Sequence, residues 1–287
     1  MTAPATPAEA LPAVAPDPVL EVRDLTLRFG GLTSLSEVNI THQRGDVLSV
    51  IGPNGAGKTS LFNCLTGVYT PQSGSVLFHE EGNKPVKVLG KKPHAVNRLG
   101  IARTFQNIRL FNALTAVENV KIGIESRQHT GPIGAMLRVP RTRREERYSD
   151  KEAFRLLEFV GLADRANDVS AGLPYGDQRR LEIARALGTK PKLLLLDEPA
   201  AGTNPVEKQQ LEVLIRAIAD TGVSVLLIEH DMRLVMSVAT QVVVLNFGQV
   251  IAAGRPAEIQ RDPAVVEAYL GTGEDAETPP PADPVEN

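Results

Sequence analysis

Nine residues limit the fold of this chain more than any other stretch: GPNGAGKTS, Gly52 to Ser60. The run fits the spacing G-x-x-x-x-G-K-[ST]. It follows a short apolar segment, DVLSVI, and precedes KTSLFNCLTGV, in which Leu61, Phe62 and Leu65 share one helical face. That context is what the chemistry requires. Gly55 and Gly57 let the backbone curl until successive N–H groups converge as an anion nest, and the helix behind adds the positive end of its dipole. In the loop of Gly52, Pro53, Asn54, Gly55, Ala56, Gly57, Lys58, Thr59 and Ser60, the main chain is expected to cradle phosphates. Lys58 would reach the β- and γ-phosphates and Thr59 would offer its hydroxyl to Mg²⁺.

A second stretch supplies what such a loop lacks. In LLLLDEP, Leu193 to Pro199, a fully apolar run reads as a strand buried on both faces. It carries Asp197 to its C-terminal edge, where open α/β sheets place their ligands. Asp197 is expected to hold Mg²⁺ through a water. Glu198, next to it, is placed to act as the base that activates water.

The remaining pattern agrees with an α/β domain. VLEVRDLTLRF alternates, setting Leu25, Leu27 and Phe29 on one face of a strand. GSVLF, GIARTF, VSVLLIEH and QVVVLNFGQVIAAG read as further strands. Between about 112 and 189 helical patterns dominate, such as TAVENVKIGIES and DKEAFRLLEFVGL, so a helical lobe is inserted in the sheet domain. Residues 1–18 and 272–287 are Ala/Pro-rich or acidic and Pro-rich, and read as disordered tails. The folded domain is therefore expected over 19–271, with the lobe at about 107–189.

Composition excludes several classes. Net charge is −3, and the seven acids in the two tails leave 31 basic against 27 acidic residues in the folded part, too even a balance to point to nucleic acid. The single cysteine, Cys64, permits no internal disulfide and fits a reducing compartment. No apolar run approaches the ~20 residues that span a bilayer, and the N-terminus has neither the basic start nor the apolar core of a signal peptide. There is one phosphate loop, no long heptad segment, no zinc-spaced cysteines and no Asn-Lys-x-Asp, since Asn83-Lys84 is followed by Pro85-Val86. These absences weigh against DNA-repair, translation and GTP-reading relatives of the motif.

Taken in order, the phosphate loop, Gln106 in RTFQNIRLF, the helical lobe, LPYGDQRRLEIARAL, LLLLDEPAAGTNP and LIEHDM resemble the nucleotide-binding subunit of an ATP-binding cassette (ABC) transporter. The resemblance covers essentially all of Val19 to Gly271. It implies a P-loop NTPase fold, an ABC ATPase domain with an antiparallel β subdomain, a mostly parallel core sheet and an inserted helical lobe. It also implies ATP and Mg²⁺ as ligands and a head-to-tail pair of cassettes, in which each ATP lies between one phosphate loop and the other chain's signature. On that resemblance Leu173, Pro174, Tyr175, Gly176 and Asp177 are the signature, opening a helix at about Gly176 toward the partner's γ-phosphate. Gln106 would contact Mg²⁺ and the attacking water and touch the transmembrane partner. His230 would sense the γ-phosphate and hold Glu198's water, and Phe29 would stack on adenine, with a core role as the alternative.

Two features depart from the family pattern. Pro174 stands in the serine position of the signature, Tyr175 in a glycine position and Asp177 in the glutamine position; proline offers neither hydroxyl nor N–H. Thr203 and Asn204 replace the usual leucine and aspartate of the dimer-contact loop. Finer likeness, in YGDQRRLEIARAL, LDEPAAGTNP, IEHDMRLVM and VVEAYLG, is to branched-chain (hydrophobic) amino acid importers. That family implies a second cassette, different from this one or a second copy of it, two permease subunits and, indirectly, an external solute-binding protein. It places the chain peripherally on the cytoplasmic face of the bacterial inner membrane. An ABC transporter of lipid, lipopolysaccharide, urea or another amide is the alternative, and a non-transport ABC ATPase a more distant one. Arg138, Arg141, Arg143, Arg144 and Arg147 form a basic cluster that reads as a solvated helix start or a contact with anionic lipid or permease loops.

Overall fold

The structure is a computed structural model that describes residues 17–126 and 140–270. Arg138 lies outside those residues, as do the side chains of Arg141, Arg143 and Arg144 and both tails up to residue 16 and from 271.

Two sheets form the frame. The first is antiparallel, with strand order β2 (Leu32–Gln43), β1 (Pro18–Phe29), β4 (Ser73–Phe78), β5 (Val86–Lys87). The second has the order β10 (Gln249–Gly254), β9 (Gln241–Asn246), β3 (Val47–Ile51), β8 (Ser224–Ile228), β7 (Leu193–Asp197), β6 (Ile101–Arg103). Its strands run parallel from β9 to β6, and β10 closes one edge as an antiparallel hairpin partner of β9.

Every residue of β3, β7 and β8 is buried, as their unbroken apolar runs require of strands covered on both faces. Their alternate side chains enter two different cores. Leu193 and Leu195 of β7 pack with Leu226 and Ile228 of β8, with β1 and β2, and with Leu61, Phe62 and Leu65 of α1 (Lys58–Leu65). Leu194 and Leu196 face the other way, into a core shared with the helical lobe. Cys64 sits in the first core as a buried free thiol, and burial pushes its pKa up to about 11.

The lobe is built on α3 (Ala116–Glu125), α4 (Pro140–Phe159) and α5 (Tyr175–Gly188). A capping box of Thr115 and Glu118 starts α3. The chain then adds α6 (Pro205–Asp220), α7 (Met232–Val238), α8 (Pro256–Ile259) and α9 (Pro263–Leu270); a short α2 (Pro93–Leu99) precedes β6. A third, smaller core of Ile51, Val235, Val242, Val244, Ile259 and Val265 lies under the last helices. No helix among the described residues is long and apolar enough to cross a membrane.

Two sequence expectations need correction. The N-terminal tail ends earlier than residue 18: β1 begins at Pro18, and Asp17 pairs with Arg44 at 2.9 Å. Nor do Leu25, Leu27 and Phe29 share one buried face. Asp24 and Glu37 take left-handed φ of 50° and the β1–β2 register shifts around Leu25, so Leu25, Thr26 and Leu27 are all buried while Phe29 emerges 45% exposed.

Candidate functional site

The C-terminal ends of β3, β6, β7 and β8 are neighbours in one sheet, and the loops leaving them carry most of the chemistry. The loop after β3 turns at Gly52, Gly55 and Gly57, with φ of 147°, 79° and 102°. A side chain at Gly57 would be strained twice, by that φ and by the carbonyl oxygen of Ser34 at 2.6 Å from its Cβ. With no side-chain cap from Gly57, α1 bonds back first at Leu61, whose N–H reaches Gly57 O at 2.9 Å. The N–H groups of Lys58, Thr59 and Ser60 therefore have no helical acceptor.

Lys58 is 9% exposed, and its Nζ donates to Gly52 O at 2.6 Å and Pro53 O at 2.9 Å, closing the loop into a ring. Burial pulls its pKa down, and the charge of Glu198 pushes it part of the way back. Thr59 is exposed, and Ser60 Oγ accepts from Ser34 Oγ at 2.7 Å. The curled amides, free helix end and ammonium together fit the phosphates of a nucleotide.

Glu198 follows β7 in a left-handed conformation, φ 45°, while its N–H still extends the sheet to Ile228 O at 2.9 Å. For a non-glycine residue that geometry costs on the order of 1 kcal/mol and must be held by its surroundings. One such hold is Gln106, whose Nε2 donates to Glu198 Oε2 at 2.8 Å. Gln106 and Glu198 are thus in direct contact, and Glu198 is near enough for its charge to act on Lys58.

Asp197 is engaged differently. Its Oδ2 accepts from Arg103 Nη2 at 2.6 Å, both side chains being almost sealed from solvent. No group of three or more His, Cys, Asp or Glu side chains that could hold a metal occurs among the described residues. The oxygens present are the exposed hydroxyl of Thr59 and the carboxylate of Asp197; a hydroxyl and one carboxylate beside a phosphate loop fit Mg²⁺, which keeps several of its waters and takes its other ligands from phosphates.

The sequence did not single out the arginine that carries the Gln106 loop. Arg179, 1% exposed on α5, donates through Nη1 to Phe105 O at 2.7 Å and through Nη2 to Gln106 O at 2.8 Å. Its Nη1 also pairs with Glu182 at 3.3 Å, and Glu182 accepts from Arg109 N at 3.2 Å. A run such as QRRLEIAR gives no sign of which arginine turns inward.

His230 lies one residue beyond Glu229 at the end of β8. Its ring is well exposed, and its Nδ1 stands 4.0 Å from Glu229 Oε2. The structure gives it that carboxylate as a neighbour, and it is Gln106 that bonds Glu198. Phe29, at the end of β1, meets Tyr69 edge-to-face, with centroids 5.2 Å apart and planes at 77°. Tyr69 is a second aromatic at that surface and has no motif to mark it.

The signature residues open α5, which starts at Tyr175, one residue before the expected point, with Pro174 as N-cap. Leu173 is buried and Tyr175 44% exposed. Gly176 is buried against α6: a Cβ there would lie 2.5 Å from Glu207 Oε1. Its missing side chain thus serves contact within the chain. Asp177 is in the first turn, as expected, but its carboxylate is taken by Arg180 at 2.6 Å and Arg165 at 3.1 Å. Asn204, in the loop that leads into α6, caps that helix by accepting from Val206 N and Glu207 N.

Comparison with known proteins gives a consistent result. A family model described as ABC transporter matches residues 35–201, and one described as branched-chain amino acid ATP-binding cassette transporter matches residues 249–275. The chain is similar to the high-affinity branched-chain amino acid transport ATP-binding protein BraF of Pseudomonas aeruginosa, 46% identical over 255 residues that span 88% of this chain and 98% of that one. LivG of Escherichia coli, of the same description, is 42% identical over the same shares. Among solved structures, a nucleotide-free ATP-binding cassette from an ABC transporter superposes with a TM-score of 0.75 at 32% identity, covering 88% of this chain and 98% of that one. A dimeric bacterial ABC transporter cassette, at 22% identity and TM-score 0.69, shares the fold.

Proposed function

The chain belongs to the ATP-binding subunits of ABC transporters, and from that premise we propose that it is the ATP-hydrolysing motor of an importer of branched-chain amino acids. The observation that carries the reading is the pairing, at neighbouring ends of one sheet, of Lys58 in its amide nest after β3 and a Glu198 carboxylate held by Gln106 after β7. Residues 249–275, and relatives named for branched-chain amino acid transport, support the substrate class.

In this reading the curled loop from Gly52 to Ser60 binds the phosphates of ATP through its amides, and Lys58 exchanges the carbonyls of Gly52 and Pro53 for the β- and γ-phosphates. Phe29, with Tyr69 behind it, offers a ring face to adenine. Thr59 and, through water, Asp197 are the residues that would hold Mg²⁺, which neutralises charge on the transferred phosphoryl group. Gln106 fixes one oxygen of Glu198 and leaves the other to take the proton of the attacking water. His230 answers to the γ-phosphate from the neighbouring strand end.

The signature acts on a second cassette, a different subunit or another copy of this one. With Pro174 lacking an N–H and Gly176 packed on Glu207, it presents the free end of α5 and its dipole but no serine hydroxyl. This half-site is therefore the weaker one, and Pro174→Ser is expected to raise turnover in the assembled complex; an unchanged rate would argue against the weakness. Closure of the pair on two ATP drives two permease subunits through the Gln106 loop, with the chain on the cytoplasmic face of the membrane and a solute-binding protein outside.

The test is ATP hydrolysis and light scattering on wild type and Glu198→Gln. Loss of turnover with a trapped ATP dimer supports the motor reading and self-pairing. ATP binding with neither hydrolysis nor dimerisation in the isolated chain points to a different partner cassette. Turnover retained by Glu198→Gln refutes the assignment of the base.

A further inference from the structure

Glu229 has no part in the roles above, yet it is fully buried between them. It prolongs SVLLI, a strand whose five residues are all buried and where an apolar side chain would be the cheap choice. A carboxylate taken out of water costs several kcal/mol unless its oxygens are satisfied. The ion pair available to it is weak, His230 Nδ1 at 4.0 Å. What satisfies it is backbone. Its Oε1 accepts from Ala200 N at 2.7 Å, and its Oε2 from His230 N at 3.1 Å and Asp231 N at 3.3 Å.

Those amides belong to two loops. Ala200 lies two residues past Glu198, inside the turn that Ala201 N closes on Glu198 O at 3.1 Å. The other two amides begin the segment that carries His230. A second brace joins the same segments further out, where Lys208 on α6 pairs with Asp231 at 2.5 Å. Asp231 in turn caps α7 through Arg233 N and Leu234 N.

We propose that Glu229 is a positioning residue that locks the turn after Glu198 to the His230 loop, so that base and histidine move as one body through the hydrolysis cycle. The proposal rests on the roles given to Glu198 and His230 above. The left-handed Glu198 gives it mechanical sense: a strained residue keeps its aim only while its turn is pinned, and the pin is the Glu229–Ala200 bond.

The test joins amide exchange on the full nucleotide-free chain with turnover in the assembled transporter. Glu229→Gln keeps the shape but has one accepting oxygen instead of two, so either Ala200 or the His230–Asp231 pair loses its acceptor. Exchange at Ala200 and Ala201 and over residues 230–232 is expected to speed up at least tenfold with α1 and β3 unchanged. kcat should fall at least tenfold with KM for ATP within about twofold. Glu229→Met leaves all three amides without their acceptor and so lowers the melting temperature, but kcat measured far below the melting transition should still fall at least tenfold with exchange in α1 and β3 unchanged, which a purely stabilising role would not give. Adding His230→Ala to Glu229→Gln should cost less than His230→Ala costs alone.

Unchanged exchange in both segments overturns the clamp. So does a kcat that follows the melting temperature, or losses that multiply independently. The exchange result needs no turnover, whereas activity retained by Glu198→Gln would overturn the reaction assignment and leave the clamp to the exchange data.

Discussion

Removing the guanidinium of Arg103 is expected to cost the nucleotide-free protein about 3–4 kcal/mol, and the geometry says why. An exposed ion pair is worth about 0–1 kcal/mol, but here the side chains are only 8% and 5% exposed, with Nη2 2.6 Å from Asp197 Oδ2. Truncating one partner of such a pair leaves a buried charge alone, at about 3–5 kcal/mol. Arg103 Nη1 also donates to Asn63 Oδ1 at 2.7 Å, and its guanidinium stands 5.5 Å from the Phe62 ring and 5.2 Å from Phe105. Met in place of Arg103 keeps the contact with those rings, which holds the loss to the lower half of that range. Urea unfolding reads it directly: with a slope of about 2–3 kcal/mol per molar, the midpoint of Arg103→Met should drop by about 1–2 M. If the orphaned carboxylate is the cause, adding Asp197→Asn should recover about 2 kcal/mol. A loss under about 1 kcal/mol, or a double variant no more stable than Arg103→Met, would refute the reasoning.

Two further expectations follow from buried positions. His42 bonds Asp46 O at 3.0 Å through Nε2, and its Nδ1 is buried with no partner among the described residues; burial holds its pKa down at about 4. The folded ring stays neutral while the unfolded one takes its proton near 6.5, so this contribution is complete above pH 6.5 and shrinks by about 3 kcal/mol as pH falls through 4. His42→Gln should flatten the urea-midpoint curve between pH 7.5 and 4 by that amount, and parallel curves would contradict it. On α3, a Cβ at Gly123 would lie 2.1 Å from Arg185 O of α5, so Gly123→Ala should destabilise by about 1–3 kcal/mol, and an unchanged melting temperature would sink the argument.

What could be read from the sequence was what is local. The phosphate loop is strand, loop and helix in one run of residues, and the chemistry of Lys58 follows from neighbours a few positions away. The β3, β7 and β8 runs announce strands because burial on both faces leaves no polar position. β2 is different: Glu37 at a left-handed φ breaks its alternation, so Leu35 and Val38 are both buried three residues apart. Long-range partners were out of reach for the same reason. Arg103 meets Asp197 across 94 positions, Arg179 meets Gln106 across 73, and Glu229 meets Ala200 across 29. Each is a polar residue in a motif's shadow, and residue type alone does not say which one turns inward. Phe29 shows the converse: its alternation is correct as a pattern, and a bulge two turns of the pleat earlier puts it on the surface.

The position of β3 in its sheet has a consequence for how the protein is made. Its two neighbours are β8 and β9, so Val47 to Ile51 pair with residues 225–228 and 241–244. A ribosome that has released the first two hundred residues has already made the strand, the glycine loop and the helix behind it, but neither of the strands that flank it. The antiparallel sheet draws on residues 18–87 and can close early, since its partners emerge together. The nucleotide loop must wait for almost the whole chain, because non-local pairing comes only after the long intervening segment has closed. The lobe's helices are synthesised in that interval, and the core they share with Leu194, Leu196, Val225 and Leu227 closes once β7 and β8 have followed. The first motif to be translated is thus among the last to become rigid, and a chain cut short before β9 lacks one of the two strands that hold the glycine loop in place.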